Sequence, residues 1–375
     1  MLLSDCTGTE LQRACKRICS CTCFFVLALC LGVRASADDY KWNLPEGFGP
    51  PPVPTSNPMT TAKVELGRYL FYDQRMSGNG KQACASCHMQ RFAFTDRRPR
   101  AIGSTGQIHP RSSMSLVNVA YSKTLTWSNP NLTTLEDQMR VPIFGTNPVE
   151  LGLDTDGATF LKIARSDKRY QELFQRAYPS DPNPFTIINL IRAIACFERT
   201  IISARSDWDA DWRQVQHLYS LELDSSKTSE SARRGEVLFF GDKLACGRCH
   251  GGNNFDASYS STNVPIKGPS FHNNGMPLGA AGLNEYTGSA EDIGKFKPPT
   301  MRNIELTAPY MHDGSVPSLD AVIDHYAKGG SHTSTQSPLV HGFTISEQDR
   351  ADLIAFLRSL TDLEVIRDPR FSDPW

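Results

Sequence analysis

The sequence predicts a mainly α-helical protein, with two small helical domains and long irregular loops. Apolar residues recur at helical spacing over residues 160–178, 189–203 and 346–360. A short pattern that ends in Leu-Phe and a further aromatic residue occurs twice, which indicates an internal duplication. The segment 255–297 is rich in Gly, Pro and Asn and lacks strand alternation, so we expect it to be loop.

The two copies of the repeated pattern lie at residues 65–72 and 234–240. In each copy a glycine, Gly67 or Gly235, is expected to open a short amphipathic helix. The polar stretch 219–231 marks a boundary, which predicts an N-terminal domain over 38–218 and a C-terminal domain over 219–375. The helix near the C-terminus has an apolar face that would pack on the second domain, formed by Leu353, Ile354, Phe356, Leu357 and Leu360.

Composition excludes some classes of function. The 375 residues include 39 Lys and Arg against 40 Asp and Glu, for a formal charge of −1. A chain without excess positive charge is not expected to bind nucleic acid or an anionic membrane electrostatically. The hydrophobic share of 39% is that of a globular protein and excludes wholesale disorder.

Residues 1–37 have the pattern of an export signal. Basic residues precede an apolar run over 24–33, and a small-residue cleavage site ends at Ala37. The ten-residue run is too short to cross a hydrocarbon core of about 30 Å. We therefore expect a periplasmic protein that is cleaved after Ala37 and has no membrane anchor. A lipoprotein site at Cys30 is the alternative, although the residue before it is bulky.

Two Cys-x-x-Cys pairs remain after the export segment, and each runs directly into a histidine. Two thiols one turn apart reach the two vinyl groups of one haem, and the next residue then places its imidazole on the iron. A zinc site would need a second ligand pair near each motif, and none stands at zinc spacing. The sequence thus predicts two covalently bound haem c groups, with attachment at Cys84, Cys87, Cys246 and Cys249 and iron ligation by His88 and His250. Cys196 is left over and is expected to be an inert buried thiol.

Two haems could form an electron carrier or an enzyme, and further segments favour the enzyme. The chain resembles the bacterial di-haem cytochrome c peroxidase and MauG family over almost all of residues 38–375, in segments 66–73, 299–304, 306–314 and the two haem motifs. The resemblance implies two cytochrome c-like haem domains. It also implies that hydrogen peroxide reacts at the N-terminal haem, while the C-terminal haem is a second redox centre.

The resemblance places the second axial ligand of the C-terminal haem at Tyr326. Peroxidases of the family have a methionine there, and tyrosine is the MauG pattern. Judged from helical spacing alone, Tyr326 shares a face with apolar residues and could be core. The rival ligands are His325, Met301 and Met311. A phenolate is anionic and stabilises high oxidation states of iron, whereas a thioether favours the reduced state.

The resemblance also assigns roles to residues around the N-terminal haem. Most peroxidases carry a distal histidine in the loop that corresponds to residues 103–107, and this chain has none there. His109 lies nearby and could substitute, although a solvated loop histidine is expected. Glu150 matches the family's proton-transferring glutamate, Gln138 and Pro142 match residues that shape the same pocket, and Trp127 matches a tryptophan between the haems. Without the resemblance, Glu150 would be interpreted as a solvated loop carboxylate and Trp127 as an ordinary packing residue.

A calcium ion between the haems is a further implication. Thr307 and Pro309 would supply backbone carbonyls, which suit this hard cation. The third protein ligand in the family is usually an asparagine, and Ser112 stands in its place. Because a hydroxyl is a poorer calcium ligand than an amide carbonyl, we expect this site to bind calcium less tightly than a site with asparagine.

Segments 127–138 and 144–152 are similar to MbnH, a MauG-like enzyme. This branch implies that peroxide oxidises both haems together to a high-valent state, and that a Trp or Tyr of an exported partner protein is then oxidised at a distance. The alternative is a cytochrome c peroxidase that takes electrons from a small cytochrome or cupredoxin. A second alternative is a non-enzymatic di-haem electron carrier.

Overall fold

The structure, a computed structural model, describes residues 39–46, 48–216, 227–256, 271–277 and 279–375. The expected export segment 1–37 lies outside the described residues, as does 219–226, the larger part of the expected domain boundary. Within the described ranges no helix is long and apolar enough to cross a membrane.

The described residues are mainly helical, as predicted. Strand pairing in them is limited to isolated bridges, such as the one between Ile102 and Ile108. Short 3-10 turns lie at Gln74–Met76, Gln90–Phe92, Val119–Tyr121, Ala290–Asp292, Ile304–Leu306 and Pro369–Phe371. The helices are α1 (Thr61–Tyr72), α2 (Cys84–Cys87), α3 (Leu135–Gln138), α4 (Arg140–Phe144), α5 (Ala158–Ser166), α6 (Lys168–Ala177), α7 (Ile187–Glu198), α8 (Asp207–Gln216), α9 (Glu230–Phe240), α10 (Cys246–Cys249), α11 (Asn284–Thr287), α12 (Leu319–Ala327) and α13 (Glu347–Ser359).

The helical patterns in the sequence are found with adjusted ends. The pattern over 160–178 is two helices, α5 and α6, because Asp167 between them is extended and its carboxylate caps the Arg169 N–H of α6. Helix α7 ends at Glu198, five residues before the expected end. Just after the helix, the Thr200 hydroxyl donates to the carbonyl of Phe197 in its last turn. Helix α13 begins after its cap, Ser346, as expected.

The repeated pattern corresponds to two pairs of crossing helices. Helix α1 packs on α7, and α9 packs on α13. A Cβ on Gly67 would lie 2.0 Å from the carbonyl oxygen of Ala193, and a Cβ on Gly235 would lie 1.9 Å from that of Asp352. Each glycine therefore lets two helix backbones approach more closely than any larger residue would allow.

The expectation that these glycines open their helices is wrong. Helix α1 begins six residues before Gly67, where the Thr60 hydroxyl accepts from the Lys63 N–H. Helix α9 begins five residues before Gly235, where the Ser229 hydroxyl accepts from the Ala232 N–H. The side-chain caps set the helix starts, whereas the glycines serve the crossings.

Two hydrophobic clusters lie in the described residues. The first gathers α1, α5, α6 and α7, and it also takes Val365 and Phe371 from the C-terminal end. The second gathers α9, α12 and α13 around Phe239 and Phe356, and it takes Trp208 from α8. Four of the five residues of the expected α13 face are buried, and the fifth, Ile354, is partly buried against the second cluster. Each cluster packs beside one Cys-x-x-Cys-His motif.

Candidate functional site

The two motif histidines have matching hydrogen bonds. The Nδ1 of His88 lies 2.9 Å from the carbonyl oxygen of Phe94. The Nδ1 of His250 lies 3.2 Å from the carbonyl oxygen of Phe255 and 3.1 Å from that of Pro299. A carbonyl oxygen only accepts, so each Nδ1 carries the hydrogen and each Nε2 keeps a lone pair for a metal.

Burial keeps these imidazoles neutral. It lowers the pKa of His88, and it lowers the pKa of His250 to about 4. A neutral imidazole is the form that binds iron. Burial also raises the pKa of Cys87 and Cys246 to about 12. The thiols of both motifs are unpaired, so they remain available for thioether bonds. Among the described residues no three His, Cys, Asp or Glu are grouped as zinc ligands would be.

One cavity brings together the first motif and the four residues expected to act on peroxide. Its wall includes Cys84, Cys87 and His88, together with Trp127, Gln138, Pro142 and Glu150. Gln138 is the last residue of α3, and Pro142 lies in α4. The Leu151 N–H donates to the Pro142 carbonyl at 2.9 Å, which fixes the segment that carries Glu150 against α4.

The loop 103–107 packs on the segment that carries Glu150. The Ser104 N–H donates to the Glu150 carbonyl at 2.7 Å, and the Ser104 hydroxyl donates to the Leu151 carbonyl at 2.9 Å. A Cβ on Gly103 would lie 1.7 Å from the Val149 carbonyl oxygen, so this approach requires glycine. In this chain the loop supports the glutamate segment and carries no imidazole.

Trp127 lies between the first cavity and a second one. It lines the first cavity and also a smaller one whose wall includes Ser112, Thr307, Pro309 and Pro299. Its Nε1 donates to the Ser112 carbonyl at 2.9 Å, and its carbonyl accepts from the Lys297 N–H at 2.8 Å. Since the carbonyl of Pro299 accepts from His250, Trp127 stands between the surroundings of the two motifs.

Tyr326 lies on α12 beside the second motif. Burial raises its pKa to about 12, and it is close enough to Cys249 and Cys246 to interact electrostatically with them. Leu319, Val322 and Ile323 of the same helix pack in the second hydrophobic cluster, and Tyr326 is absent from that cluster. The Tyr326 hydroxyl oxygen lies 3.5 Å from Asn274 Nδ2.

The rival donors have contacts of their own. The His325 Nε2 donates to the Asn274 carbonyl at 2.9 Å. The Met311 sulfur accepts from the Asn274 side-chain amide at 3.2 Å. Met301 packs against the second hydrophobic cluster.

Comparisons with known proteins agree with this geometry. A family model described as di-haem cytochrome c peroxidase matches residues 61–217. The methylamine utilization protein MauG of Methylorubrum extorquens is 33% identical over 312 residues, covering 82% of this chain and 81% of that protein. The chain belongs to the di-haem cytochrome c peroxidase and MauG family.

Other members of the family span most of the chain. The cytochrome-c peroxidase IdrP1 of Denitromonas iodatirespirans is 30% identical over 362 residues, covering 90% of this chain and 92% of that protein. A crystal structure described as a MauG-like protein associated with microbial copper homeostasis is 40% identical, with a TM-score of 0.84, and covers 90% of this chain and 99% of that one. This di-haem protein is accordingly a haem-dependent oxidoreductase that acts on peroxide, and not a simple electron carrier.

Membership of the di-haem family implies two c-type haems, and the residues fit them. Each motif offers two thiols that form no disulfide, together with a neutral imidazole. The hydrogen bonds of each imidazole are made by Nδ1, which leaves Nε2 to bind iron. The first motif opens on a cavity that exposes more apolar than polar surface and is lined by both apolar and polar residues, which suits a haem with an apolar ring and polar reacting groups beside it. Cys84 and Cys87 would hold one haem and Cys246 and Cys249 the other.

His109 is not the solvated loop residue that we expected. A bridge between Ile102 and Ile108 closes the loop, and the His109 N–H donates to the Ala101 carbonyl at 2.8 Å. The ring is thereby brought into the cavity wall, where its Nε2 lies 3.5 Å from Glu150 Oε1 and its side chain is 26% exposed. The Nδ1 of the same ring lies 3.1 Å from the Arg111 backbone nitrogen and 3.3 Å from the Arg111 carbonyl oxygen.

Sequence reasoning missed Glu198. This last residue of α7 lines the first cavity, and its Oε2 is buried without a hydrogen-bond partner. Burial raises its pKa to about 8, so the carboxyl group is protonated at neutral pH. Its signal in the sequence is one acidic residue at the end of an otherwise apolar helix, which does not reveal a cavity.

The residues expected to bind calcium share the second cavity. Ser112, Thr307 and Pro309 all line it. The Ser112 hydroxyl donates to the Met311 carbonyl at 3.2 Å. Lys297 lines the same cavity, and burial lowers its pKa while Asp256 opposes this shift. An ammonium group in this cavity works against a divalent cation there.

Cys196 is buried, as predicted. Burial raises its pKa to about 11, and its sulfur lies 3.6 Å from Asn57 Oδ1. The thiol is therefore protonated and shielded.

Proposed function

We propose that this protein is an exported MauG-like enzyme, which uses hydrogen peroxide to oxidise a Trp or Tyr side chain of a partner protein. The observation that carries the proposal is Tyr326, a phenol beside the second haem motif where peroxidases of the family have a methionine. The two haems would supply an iron that binds peroxide and a second redox centre.

Glu150 has the chemistry to move a proton between the two peroxide oxygens, which favours heterolytic cleavage of the O–O bond. Gln138 and Pro142 shape the same wall of the cavity. The loop 103–107 carries no histidine, and the Nε2 of His109 lies against Glu150, so we expect peroxide to react without prior reduction. Reduction of one peroxide to two waters consumes two protons and two electrons, and the partner side chain supplies the electrons.

Trp127 is the proposed bridge between the two centres. Its indole spans the walls of both cavities, and hydrogen bonds at Nε1 and at its carbonyl hold it in place. An electron-rich ring fixed in such a position can pass an oxidising equivalent across. Tyr326, as an anionic ligand, would stabilise the oxidised form of the second centre.

The partner is proposed to be an exported protein whose oxidisable residue comes to the surface of this enzyme. We infer a periplasmic location from the signal pattern of residues 1–37. The 40% identical relative is described as MauG-like and associated with microbial copper homeostasis, which favours a partner that handles copper. No nucleic acid is expected to bind.

The test adds stoichiometric hydrogen peroxide to fully oxidised, haem-loaded protein. We expect the ferric EPR signals of both haems to disappear together, with no reductant added. The Tyr326→Met variant is the matched control, and it should need reduction of one haem first. If the wild-type protein is also inert until reduced, the MauG-like proposal fails.

A cytochrome c peroxidase is the second candidate, with electrons from a small cytochrome or cupredoxin. One contact favours it: the Met311 sulfur is held by Asn274, which also contacts Tyr326. A thioether is thus near the position of the expected ligand. Rapid turnover with a small reduced cytochrome, together with a thioether charge-transfer band, would select this function.

A further inference from the structure

Asn274 contacts three of the four candidate donors to the second haem. Its side-chain Nδ2 lies 3.2 Å from the Met311 sulfur and 3.5 Å from the Tyr326 hydroxyl oxygen. Its backbone carbonyl lies 2.9 Å from His325 Nε2. A single residue therefore touches the donors among which the choice of ligand must be made.

The three contacts differ in kind. A carbonyl oxygen only accepts, so His325 Nε2 carries a hydrogen and cannot bind iron through that nitrogen. The Met311 sulfur receives an amide N–H at a short distance, which engages a lone pair and fixes the thioether. The contact with the Tyr326 oxygen is longer, at 3.5 Å, and leaves that oxygen the freest of the three.

The backbone of Met311 restricts it further. Its φ is +70°, in the left-handed region that few residues with a side chain adopt. Its carbonyl accepts from the Ser112 hydroxyl and from the Gly314 N–H. The side chain of Met311 thus starts from a fixed backbone, and the amide of Asn274 decides where its sulfur lies.

We propose that Asn274 is a positioning residue, which leaves Tyr326 as the ligand of the second haem by holding Met311 and His325 away. This inference rests on the proposed function, because that function assigns the haem ligand to Tyr326. Removal of the Asn274 amide would release the Met311 sulfur but not His325, whose partner is a backbone atom.

The neighbouring Asn273 holds this segment in place through its side chain. Its side-chain amide donates to the hydroxyls of Thr335 and Thr333, and its Oδ1 accepts from the Gly275 N–H. These bonds join the segment to the loop that follows α12. The Asn274 Oδ1 accepts one longer bond in the segment, from the Met276 N–H at 3.4 Å. The bonds of Asn273 remain when Asn274 is changed, so the segment keeps its connection to that loop.

The test compares Asn274→Leu, Met311→Leu and the double variant Asn274→Leu/Met311→Leu. Each haem-loaded protein is examined by resonance Raman spectroscopy for the iron–tyrosinate vibrations, by near-infrared spectroscopy for the thioether band, and by redox titration of the second haem. For Asn274→Leu we expect a weaker tyrosinate signature, a new thioether band and a higher midpoint potential. In the double variant the tyrosinate signature should return, since no sulfur is left to compete.

Three results would overturn the inference. One is a wild-type spectrum and potential in Asn274→Leu. The second is a changed spectrum that persists in the double variant, since Asn274 would then act by a route other than Met311. The third is a Tyr326→Phe variant that matches the wild type, which would remove the tyrosine assignment itself and with it the proposed function. Asn274→Ser, which is smaller and too short to reach the sulfur, repeats the test if leucine hinders folding.

Discussion

The Nε2 of His109 lies 3.5 Å from Oε1 of Glu150 in the wall of the first haem cavity. The other ring nitrogen is held beside the Arg111 backbone, 3.1 Å from its nitrogen and 3.3 Å from its carbonyl oxygen, so the ring presents Nε2 to the carboxylate. A carboxylate that shuttles a proton needs a fixed orientation, and His109 is placed to supply it.

Replacement of Glu150 by Gln should slow the reaction of the oxidised protein with peroxide by about 10²–10⁴-fold, the usual contribution of a positioned acid–base group. His109→Leu should slow it less, and His109→Gln, which keeps an N–H donor, should recover part of the loss. Stopped-flow absorbance at the haem Soret band measures these rates. Equal rates for Glu150→Gln and the wild type would remove Glu150 from proton transfer.

Gly235→Ala should destabilise the protein, because the new Cβ would fall 1.9 Å from the Asp352 carbonyl oxygen and force α9 away from α13. Overpacking of this kind costs about 1–3 kcal/mol or more. Denaturant unfolding of the haem-loaded protein measures the loss. The matched control is Gly279→Ala, where an added Cβ meets nothing within 4 Å. If both variants unfold alike, the close crossing does not limit stability.

Glu198→Gln should stabilise the protein, and increasingly so as pH rises. The folded-state pKa of Glu198 is about 8 and its ordinary value is 4.5, so between these values the unfolded chain loses a proton that the folded chain keeps. Folding stability therefore falls with rising pH in this window, by about 1.4 kcal/mol for each pKa unit as an upper bound. The glutamine variant is free of this cost.

Melting temperatures at pH 5 and pH 8 test the prediction, which requires a larger gain for Glu198→Gln at pH 8. Glu136→Gln is the opposite control, because hydrogen bonds from Arg199 and Asn57 outweigh burial and hold the pKa of Glu136 below its usual range. The stability that Glu136 contributes is present above its unfolded pKa and is lost as pH falls. The unfolded pKa of Glu136 is 4.5, so both pH 5 and pH 8 lie above it, and the removal of Glu136 should cost about the same at the two pH values.

Calcium should bind more tightly to Ser112→Asn than to the wild type, since an amide carbonyl is a better calcium ligand than a hydroxyl. Isothermal titration of chelator-treated protein with calcium chloride measures both affinities. Lys297→Met, which removes the ammonium group from the cavity wall, should also raise the affinity. An absence of calcium uptake by all three proteins would remove the calcium site from this branch of the family.

The parts of the site that could be predicted are those that depend on local chemistry. Each haem motif places two thiols and an imidazole within five residues, and the attachment of haem requires that spacing. Glu150 and Trp127 were identified through the resemblance to a family, and the cavity that contains them both follows from contacts between distant segments. Their catalytic roles remain predictions.

The missed features depend on residues far apart in the chain. Asn274 meets Met311 and Tyr326 across 37 and 52 positions, and no spacing rule connects them. Glu198 looks like the polar end of a mostly apolar helix until the fold brings it into the wall of the first cavity. Gly67 and Gly235 resemble helix starts in the sequence, and only the partner helices show that they are crossing points.

The sequence by itself determined the mainly helical class and the family and predicted the haem attachment sites, because helical periodicity and the motif spacing are local properties of the chain. The tertiary structure decided which side chains surround the two motifs. It buried Tyr326 near the cysteines of the second motif, brought His109 to Glu150, and buried Glu198 Oε2 without a hydrogen-bond partner. Burial and hydrogen bonding between distant segments set these environments, and they exist only once the helices have packed.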